Sequence, residues 1–317
     1  MRSAPRRGRR RWPGTRKRPA ELQKLFVVTG AATGMGAAAA RGLARRGFHV
    51  LAGVRGDCDA DAIRSNGIEP AILAITKPEA MEALAARIAG DARPLHALVS
   101  NAGIQVNAPV EALPMAEWRR VFEVNLFGHI AVTEALLPAL LCSEGRVINM
   151  SSGGKIAMAT YGAYAGAKFA LEAVSDSLRR GGAPQGVQVV LVEPGGVRTE
   201  MASRGIATAK RLAARMTPEQ DERYGGLVQA NNRFMASGTT SDLTADAAAR
   251  VIAKAVTTRR PRTRYPIGRD AALGVRLAGM LSDRTLDRVA AANLRRHYPK
   301  DVRPAAASRF PALALCT

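Results

Sequence analysis

Leu25-Phe26-Val27-Val28-Thr29-Gly30-Ala31-Ala32-Thr33-Gly34-Met35-Gly36 is the stretch that decides how this chain folds. Its first five residues are apolar or β-branched without a polar break, the pattern of a strand buried on both faces. Glycines at 30, 34 and 36 then shape a turn, and an alanine-rich stretch of helical character follows to about Arg46. A buried strand, a glycine turn and a helix in this order make an opening suited to a dinucleotide. Gly30 permits the tight turn. Gly34 lets the backbone approach a pyrophosphate, whose charge meets the helix N-terminus, and Gly36 lets helix lie close on strand. The spacing Thr-Gly-x-x-x-Gly-x-Gly is one residue longer than the usual Rossmann fingerprint. The absence of Gly-x-x-x-x-Gly-Lys-Ser/Thr sets aside P-loop nucleotide hydrolases.

The rest of the chain repeats the alternation. Leu95-His96-Ala97-Leu98-Val99-Ser100 reads as another buried strand and ends in Asn101-Ala102-Gly103. A long amphipathic helical stretch from about Met115 to Leu141 contains Asn125. Arg146-Val147-Ile148-Asn149-Met150 is a strand ending at Ser151-Ser152, and Val187 to Val192 is a strand ending in Glu193-Pro194-Gly195-Gly196-Val197-Arg198-Thr199. Strands alternating with helices imply one α/β domain: a doubly wound, Rossmann-type parallel sheet of about seven strands with helices on both faces. At 317 residues the chain can bury such a core as a single domain.

The chemistry is carried by Tyr164-Ala165-Gly166-Ala167-Lys168. Four residues apart on a helix, Tyr164 and Lys168 share a face. An ammonium beside a phenol favours the phenolate and lowers its pKa from about 10. Such a tyrosine can exchange a proton with an alcohol or carbonyl oxygen near neutral pH.

Taken together, TGAATGMG, NAG, the mid-helix Asn, the strand-end Ser, YAGAK and EPGGVRT resemble the short-chain dehydrogenase/reductase family, in the family's own order. The resemblance runs from about Lys24 to about Arg296. Through residues 168–180 and Val190-Leu191-Val192-Glu193-Pro194-Gly195 it is similar to the branch containing retinol and 17β-hydroxysteroid dehydrogenases. The resemblance implies an NAD(P)-dependent oxidoreductase with a catalytic set of Asn125, Ser152, Tyr164 and Lys168. It implies cofactor contacts at Gly30, Thr33, Gly34, Met35, Gly36, Asn101, Ala102, Gly103, Tyr164, Lys168, Pro194, Gly195, Val197 and Thr199. Asn125 would act through its helix backbone on a proton-relay water, and Asn101 would close the cofactor floor. Family spacing also leaves Ser151 as an alternative to Ser152: the two lie 13 and 12 residues before Tyr164, and the Ser-Ser-x-x-Lys/Arg segment of this branch favours Ser152. Family members commonly pair through the helices beginning near Met115 and Tyr164, so a homodimer or homotetramer is expected.

Cofactor choice turns on His49-Val50-Leu51-Ala52-Gly53-Val54-Arg55. NAD-selective members carry an acid at the end of this strand; that position falls on Val54, and Arg55 follows. A guanidinium suits a 2′-phosphate, so NADP(H) is favoured, with NAD(H) the alternative. The family's adenine-contacting Asp is replaced by Ala74 in Leu73-Ala74-Ile75-Thr76.

Charge is unevenly placed. Of the formal net +21, residues 1–24 contribute +9, residues 25–249 contribute +1 and residues 250–317 contribute +11. We expect residues 1–23 to be a disordered basic tail, 24–297 the catalytic domain, and 298–317 a second tail. The arginines at the N-terminus precede no apolar core, so they are not read as a secretion signal. Aromatic residues are only 4% of the chain, and no basic face interleaved with aromatics is evident, so no specific nucleic-acid partner is expected. No run of about 18 uninterrupted apolar residues appears, so no transmembrane segment is expected. Cys58, Cys142 and Cys316 are far apart and suit a reduced, cytoplasmic setting. His49, His96, His129 and His297 lack metal-ligand spacing, and no metal is expected.

The substrate pocket is expected from a lid of one or two helices at about 200–242, with Met201, Ile206, Leu212, Met216, Phe234 and Met235. Ile156, Met158 and Tyr161 are further candidates. These apolar residues suggest a small lipophilic alcohol or carbonyl substrate. A catalytically idle dinucleotide-binding regulator is the alternative, kept open by Ala74.

Overall fold

The computed structural model describes residues 23–153, 157–239 and 242–299. The tail at 1–22, most of the tail at 298–317, and Ile156 lie outside the described residues.

Strands β1 (Leu25–Val28), β2 (His49–Val54), β3 (Ile68–Ile72), β4 (Leu95–Ser100), β5 (Arg146–Met150), β6 (Gln188–Pro194) and β7 (Arg264–Ile267) form one sheet in the order 3-2-1-4-5-6-7. Every pairing is parallel. The order reverses between β1 and β4, and ligands of open parallel sheets bind at that crevice, beyond the carboxyl ends of the strands.

Helices cover both faces. On one face lie α1 (Gly34–Ala44) and α9 (Ala245–Thr257), which meet through small side chains. Ala37, Ala38, Ala39, Ala40 and Leu43 share a buried cluster with Ala248, Ala249, Ile252, Ala253 and Val256. Alanine on both helices lets their axes approach closely without forcing rotamers. On the other face α3 (Pro78–Ala89) and α5 (Gly128–Cys142) bury Met81, Leu84, Val132, Leu136 and Leu140 against Val27, Leu98 and Val147.

Helix α4 (Met115–Phe122) runs into α5 through one π turn at Glu123–Phe127. Read through that turn, the helix Met115–Cys142 is long enough to cross a membrane and contains an 18-residue stretch apolar enough to do so, with a mean hydropathy of 1.5. This qualifies the expectation that no such segment exists, since the helix passes on average apolarity without an uninterrupted run. In the fold its apolar residues have another use: Val132, Leu136 and Leu140 are core beneath the sheet.

Helix α6 (Gly162–Gly182) follows β5 and is buried along Ala163, Tyr164, Ala167, Lys168, Leu171 and Glu172. After β6 come the two helices of the expected lid segment, α7 (Glu200–Ala213) and α8 (Pro218–Thr239). α2 (Asp57–Ile63) follows β2, and α10 (Arg269–Met280) and α11 (Asp283–Arg295) are the last helices among the described residues.

Candidate active site

The glycine turn is held from below by two polar residues. Thr29, fully buried at the end of β1, accepts the backbone N–H groups of Asn101 and Ala102, each at 3.0 Å. Asn101 Nδ2 donates to the carbonyls of Thr29 and Gly30 at 3.1 Å. The ends of β1 and β4 are thus stitched at the switch point. Asn101 acts as this fastener, and Thr29, placed in the motif by its sequence but given no role of its own there, is its counterpart. A hydroxyl at the last position of a buried strand is the signal that could have marked it.

Gly30 and Gly34 have φ of +63° and +59°, left-handed values that favour glycine. A Cβ on Gly36 would lie 2.3 Å from the Gly30 carbonyl oxygen and 2.4 Å from Asn101 Nδ2. One on Gly30 would lie 2.7 Å from Ala102 Cα. Thr33 is the N-cap of α1, with no side-chain cap bond, and Met35 packs against the core behind it. The result is a cradle of bare backbone in front of a helix N-terminus, which fits a pyrophosphate. Ala31 N–H donates to the Gly53 carbonyl at 2.9 Å, so the end of β2 borders the cradle. There Arg55 is exposed, whereas Val54 is 1% exposed and belongs to the core. The position read as the acid site thus points inward, and Arg55 alone offers a side chain outward.

Asn125 sits fully buried within the π turn. Its Nδ2 donates to the Ile104 carbonyl at 2.8 Å and its Oδ1 accepts Ile104 N–H at 2.9 Å. The side chain therefore clamps the loop after Gly103, while the π turn alters the local carbonyl ladder. One turn on, His129 Nε2 lies 2.6 Å from the Ala102 carbonyl. Burial, reinforced by the Lys168 ammonium, lowers its pKa to about 3. His129 is neutral and donates to that carbonyl, a contact that sequence reading did not anticipate.

At the end of β5 the two serines part company. Ser151 Oγ is buried and donates to Glu172 Oε1 at 2.6 Å. Ser152 instead lies beside the Tyr164 hydroxyl. Tyr164 is 9% exposed, and burial raises its pKa, opposed by the neighbouring Ser152 hydroxyl. Lys168 donates from Nζ to the Met150 carbonyl at 2.8 Å, and burial lowers its pKa to about 8. The expected lowering of Tyr164 by Lys168 is not what dominates in the protein alone. The ammonium is turned toward β5, and desolvation of the phenol prevails. Tyr161 lies edge-on to Tyr164 with ring centroids 6.2 Å apart, and its pKa is raised to about 12, mainly by burial.

The opposite wall comes from α7 and α8. Thr199 is the N-cap of α7, and a Cβ on Gly34 would meet its Cγ2 at 3.4 Å, so the starts of α1 and α7 face each other. Gly34, Arg198, Thr199, Glu200 and Ser203 line the cleft between them. Gly195 N–H donates to the Ile267 carbonyl at 2.9 Å, and Val197 is buried, so the segment from Pro194 to Thr199 is anchored along this edge. Of the expected pocket residues, Met201 approaches Gly103, and Met235 packs on Gly205 and accepts from Asn107 Nδ2 at 2.8 Å. Two others are placed elsewhere. Leu212 is in a core cluster with Val106, Val121, Ala163 and Ala167, and Phe234 meets His297 edge-on at 5.4 Å. Gln105 and Asn107, which lie beside the Tyr161 hydroxyl and oppose the rise in its pKa, add polar groups that the apolar reading of the pocket missed. Among the described residues no cluster of His, Cys, Asp and Glu could hold a metal ion.

Comparison with known proteins agrees with this geometry. The family model described as short chain dehydrogenase matches residues 24–210. Retinol dehydrogenase 5 of Mus musculus is 38% identical over 280 residues, covering 84% of this chain and 87% of that protein. Dehydrogenase/reductase SDR family member 9 of Bos taurus is 34% identical over 259 residues, covering 78% and 81%. A short-chain dehydrogenase from Streptomyces avermitilis superposes with a TM-score of 0.68 at 27% identity, covering 87% of this chain and 96% of that one. With a glycine cradle, a buried Tyr–Lys pair and these relatives, the chain belongs to the short-chain dehydrogenase/reductase family, in its retinol dehydrogenase-like branch, and is an NAD(P)-dependent oxidoreductase.

Proposed function

We propose that this enzyme interconverts a lipophilic secondary alcohol and its carbonyl compound with NADP(H), using Tyr164 as the general acid and base. The observation that carries the reading is the buried Tyr164 with Ser152 beside it and Lys168 one turn along the same helix, next to the glycine cradle. When bound, the nicotinamide cofactor supplies the hydride. The backbone from Gly30 to Gly36, including Thr33 and Met35, holds its phosphates. Asn101, Ala102 and Gly103 form the floor, and Pro194, Gly195, Val197 and Thr199 form the edge. Arg55 is the exposed cation available to a 2′-phosphate and supports NADP(H) over NAD(H).

In reduction, Tyr164 Oη gives its proton to the carbonyl oxygen while Ser152 Oγ holds that oxygen and stabilises its developing charge. Burial raises the Tyr164 pKa, so the phenol is protonated at neutral pH and suited to donate. Oxidation requires the phenolate, so its rate should climb as pH rises. Lys168 keeps its charge below about pH 8 and, by family resemblance, steadies the nicotinamide ribose. Asn125 keeps the π turn and the loop at Ile104 in register.

Met201, Met235 and Tyr161 favour a lipophilic substrate, as does the similarity to retinol dehydrogenase 5 of Mus musculus. A homodimer or homotetramer in the cytoplasm completes the reading. Met115 and Phe127, 62% and 52% exposed, are apolar residues on the helices that family members use for pairing.

The test is a panel of all-trans-retinal, steroid ketones, medium-chain aldehydes and the matching alcohols, followed by nicotinamide absorbance with NADPH and NADH. Turnover of a lipophilic carbonyl with NADPH supports the proposal. Tight cofactor binding without turnover of any compound would return the chain to the idle regulator.

A further inference from the structure

Four consecutive residues at the end of β5 are each hooked onto α6. Asn149 Nδ2 donates to Ser175 Oγ at 2.8 Å, and the Met150 carbonyl accepts from Lys168. Ser151 donates to Glu172, and Ser152 meets Tyr164. On the helix, Tyr164, Lys168, Glu172 and Asp176 follow at four-residue steps and so form one stripe. The third member is a carboxylate 4% exposed. Its second oxygen accepts from Arg264 Nη1 at 2.6 Å, and the same nitrogen donates to Glu193 Oε1, also at 2.6 Å. Arg264 Nη2 reaches Asp176 at 3.4 Å. The network thus joins β5, α6, β6 and β7 directly behind the active site.

Its position suggests what it does. The ladder between β5 and β6 ends at Met150, and Ser151 N–H makes one further backbone bond, to the Val192 carbonyl at 2.8 Å. Beyond that point strand pairing no longer sets the chain's direction, yet Ser152 must face Tyr164. The Glu172 carboxylate grips the preceding side chain at the place where backbone control stops. A carboxylate this deeply buried is costly unless charge-paired, and Arg264 provides the pairing.

We propose that Glu172, held by Arg264, is a positioning residue that fixes Ser152 against Tyr164 by gripping Ser151. The proposal rests on the reading of Ser152 and Tyr164 given above. Misplacement of a reacting group by about an ångström costs up to about a hundredfold in rate. Ser151→Ala and Glu172→Gln should therefore each slow single-turnover hydride transfer about ten- to hundredfold. KM and the NADPH dissociation constant, read by nicotinamide fluorescence, should stay within about twofold. The deciding measurement is a double-mutant cycle. In a Ser152→Ala background, Ser151→Ala should cost nothing more, because it acts only through the hydroxyl already removed. Multiplicative losses in that background, or a full kcat in Ser151→Ala, would overturn the proposal. Should Glu172→Gln fail to fold, Ser151→Ala carries the test, since it leaves the ion pairs intact. Amide hydrogen exchange gives a readout independent of turnover: Ser151→Ala should speed exchange at 151–153 and leave β6 unchanged. Unchanged exchange there would also overturn the proposal. A wild type that reduces no carbonyl compound would instead refute the function and leave the exchange result to judge the grip.

Discussion

The half of the site built on the strand ends and the half built by α7 and α8 are held together by different physics. At the strand ends the contacts are short and most engage backbone: Thr29 and Asn101 lock the glycine turn, Lys168 holds the Met150 carbonyl, and Glu172 takes the Ser151 hydroxyl. Across the cleft the contacts are made by side-chain tips. Glu111, on the loop before α4, accepts from Arg223 of α8 at an exposed site. Met235 fills the space at Gly205 with its flexible end. The difference teaches that the chemistry is placed on a rigid frame, while the substrate wall is free to adapt.

The severest way to break this comparison is Tyr164→Phe. The ring is kept and the proton is lost, so turnover should fall at least about a hundredfold with cofactor affinity unchanged. Steady-state rates and a fluorescence titration with NADPH check it. Retention of more than about a tenth of the activity would remove Tyr164 from the chemistry.

A matched pair of glycine substitutions sharpens the contrast. Gly36→Ala puts a methyl 2.3 Å from the Gly30 carbonyl oxygen, where only backbone could give way. Overpacking of this kind costs about 1–3 kcal/mol. A lower Tm and NADPH binding weakened by about tenfold are expected. Gly205→Ala meets Met235 Cε at 3.1 Å, a side-chain end that can swing, and alanine suits a helix better. Its Tm should hold or rise, and only substrate KM should move. Equal losses in the two variants would erase the distinction.

Arg55→Ala tests the rim of the frame. A charge-assisted contact is worth about 1.5–3 kcal/mol, so selectivity for NADPH over NADH should fall about tenfold or more. Competition kinetics with both cofactors measure it. Arg55 is the position to change because Val54 is core, and an acid placed there would be buried. Wild-type preference for NADH would make Arg55 a solvated surface residue.

Acid should loosen the frame before it reaches the carboxylates. Burial depresses His96 to a pKa of about 4 and His129 to about 3. The unfolded chain takes up these protons near pH 6.5. Below that pH the unfolded state binds protons that the folded state refuses, so stability falls as pH drops from about 6.5 toward 4. Thermal melts at pH 7 and pH 5 should show the drop. His96→Phe, at the end of β4 away from the site, should lessen it, leaving the share of His129.

The smallest effect belongs to the adaptable wall. Glu111→Ala unties α8 from the body at a fully solvated site, so Tm should stay put and substrate KM should rise by a few-fold at most. Proteolysis within 218–237 should become faster. A loss of stability would show that the wall is part of the frame.

How far the sequence could be read follows the same division. β4 and β5 run over the residues read for them, because short runs dominated by apolar and β-branched residues and bounded by turn-forming segments leave little choice. Asn125 was legible as a position, but its π turn was not, since the local pattern is that of an ordinary helix. Ser151 and Ser152 are adjacent hydroxyls with similar spacing to Tyr164, and only their opposite partners, Glu172 and Tyr164, tell them apart. Leu212 and Phe234 were read as pocket because apolarity does not say which face of a helix turns inward.

By itself the sequence determined the doubly wound sheet, the glycine cradle and the Tyr–Lys pair, because each is a local rule of period, φ or helical spacing. Tertiary structure alone decided the inward turn of Val54, the neutral His129 and the reach of Arg264 to Glu172 across 92 residues. It also decided that burial, rather than Lys168, governs the Tyr164 pKa. These depend on which groups meet after the chain has closed, and on how much water the closing removes, and neither is written in the spacing of residues along it.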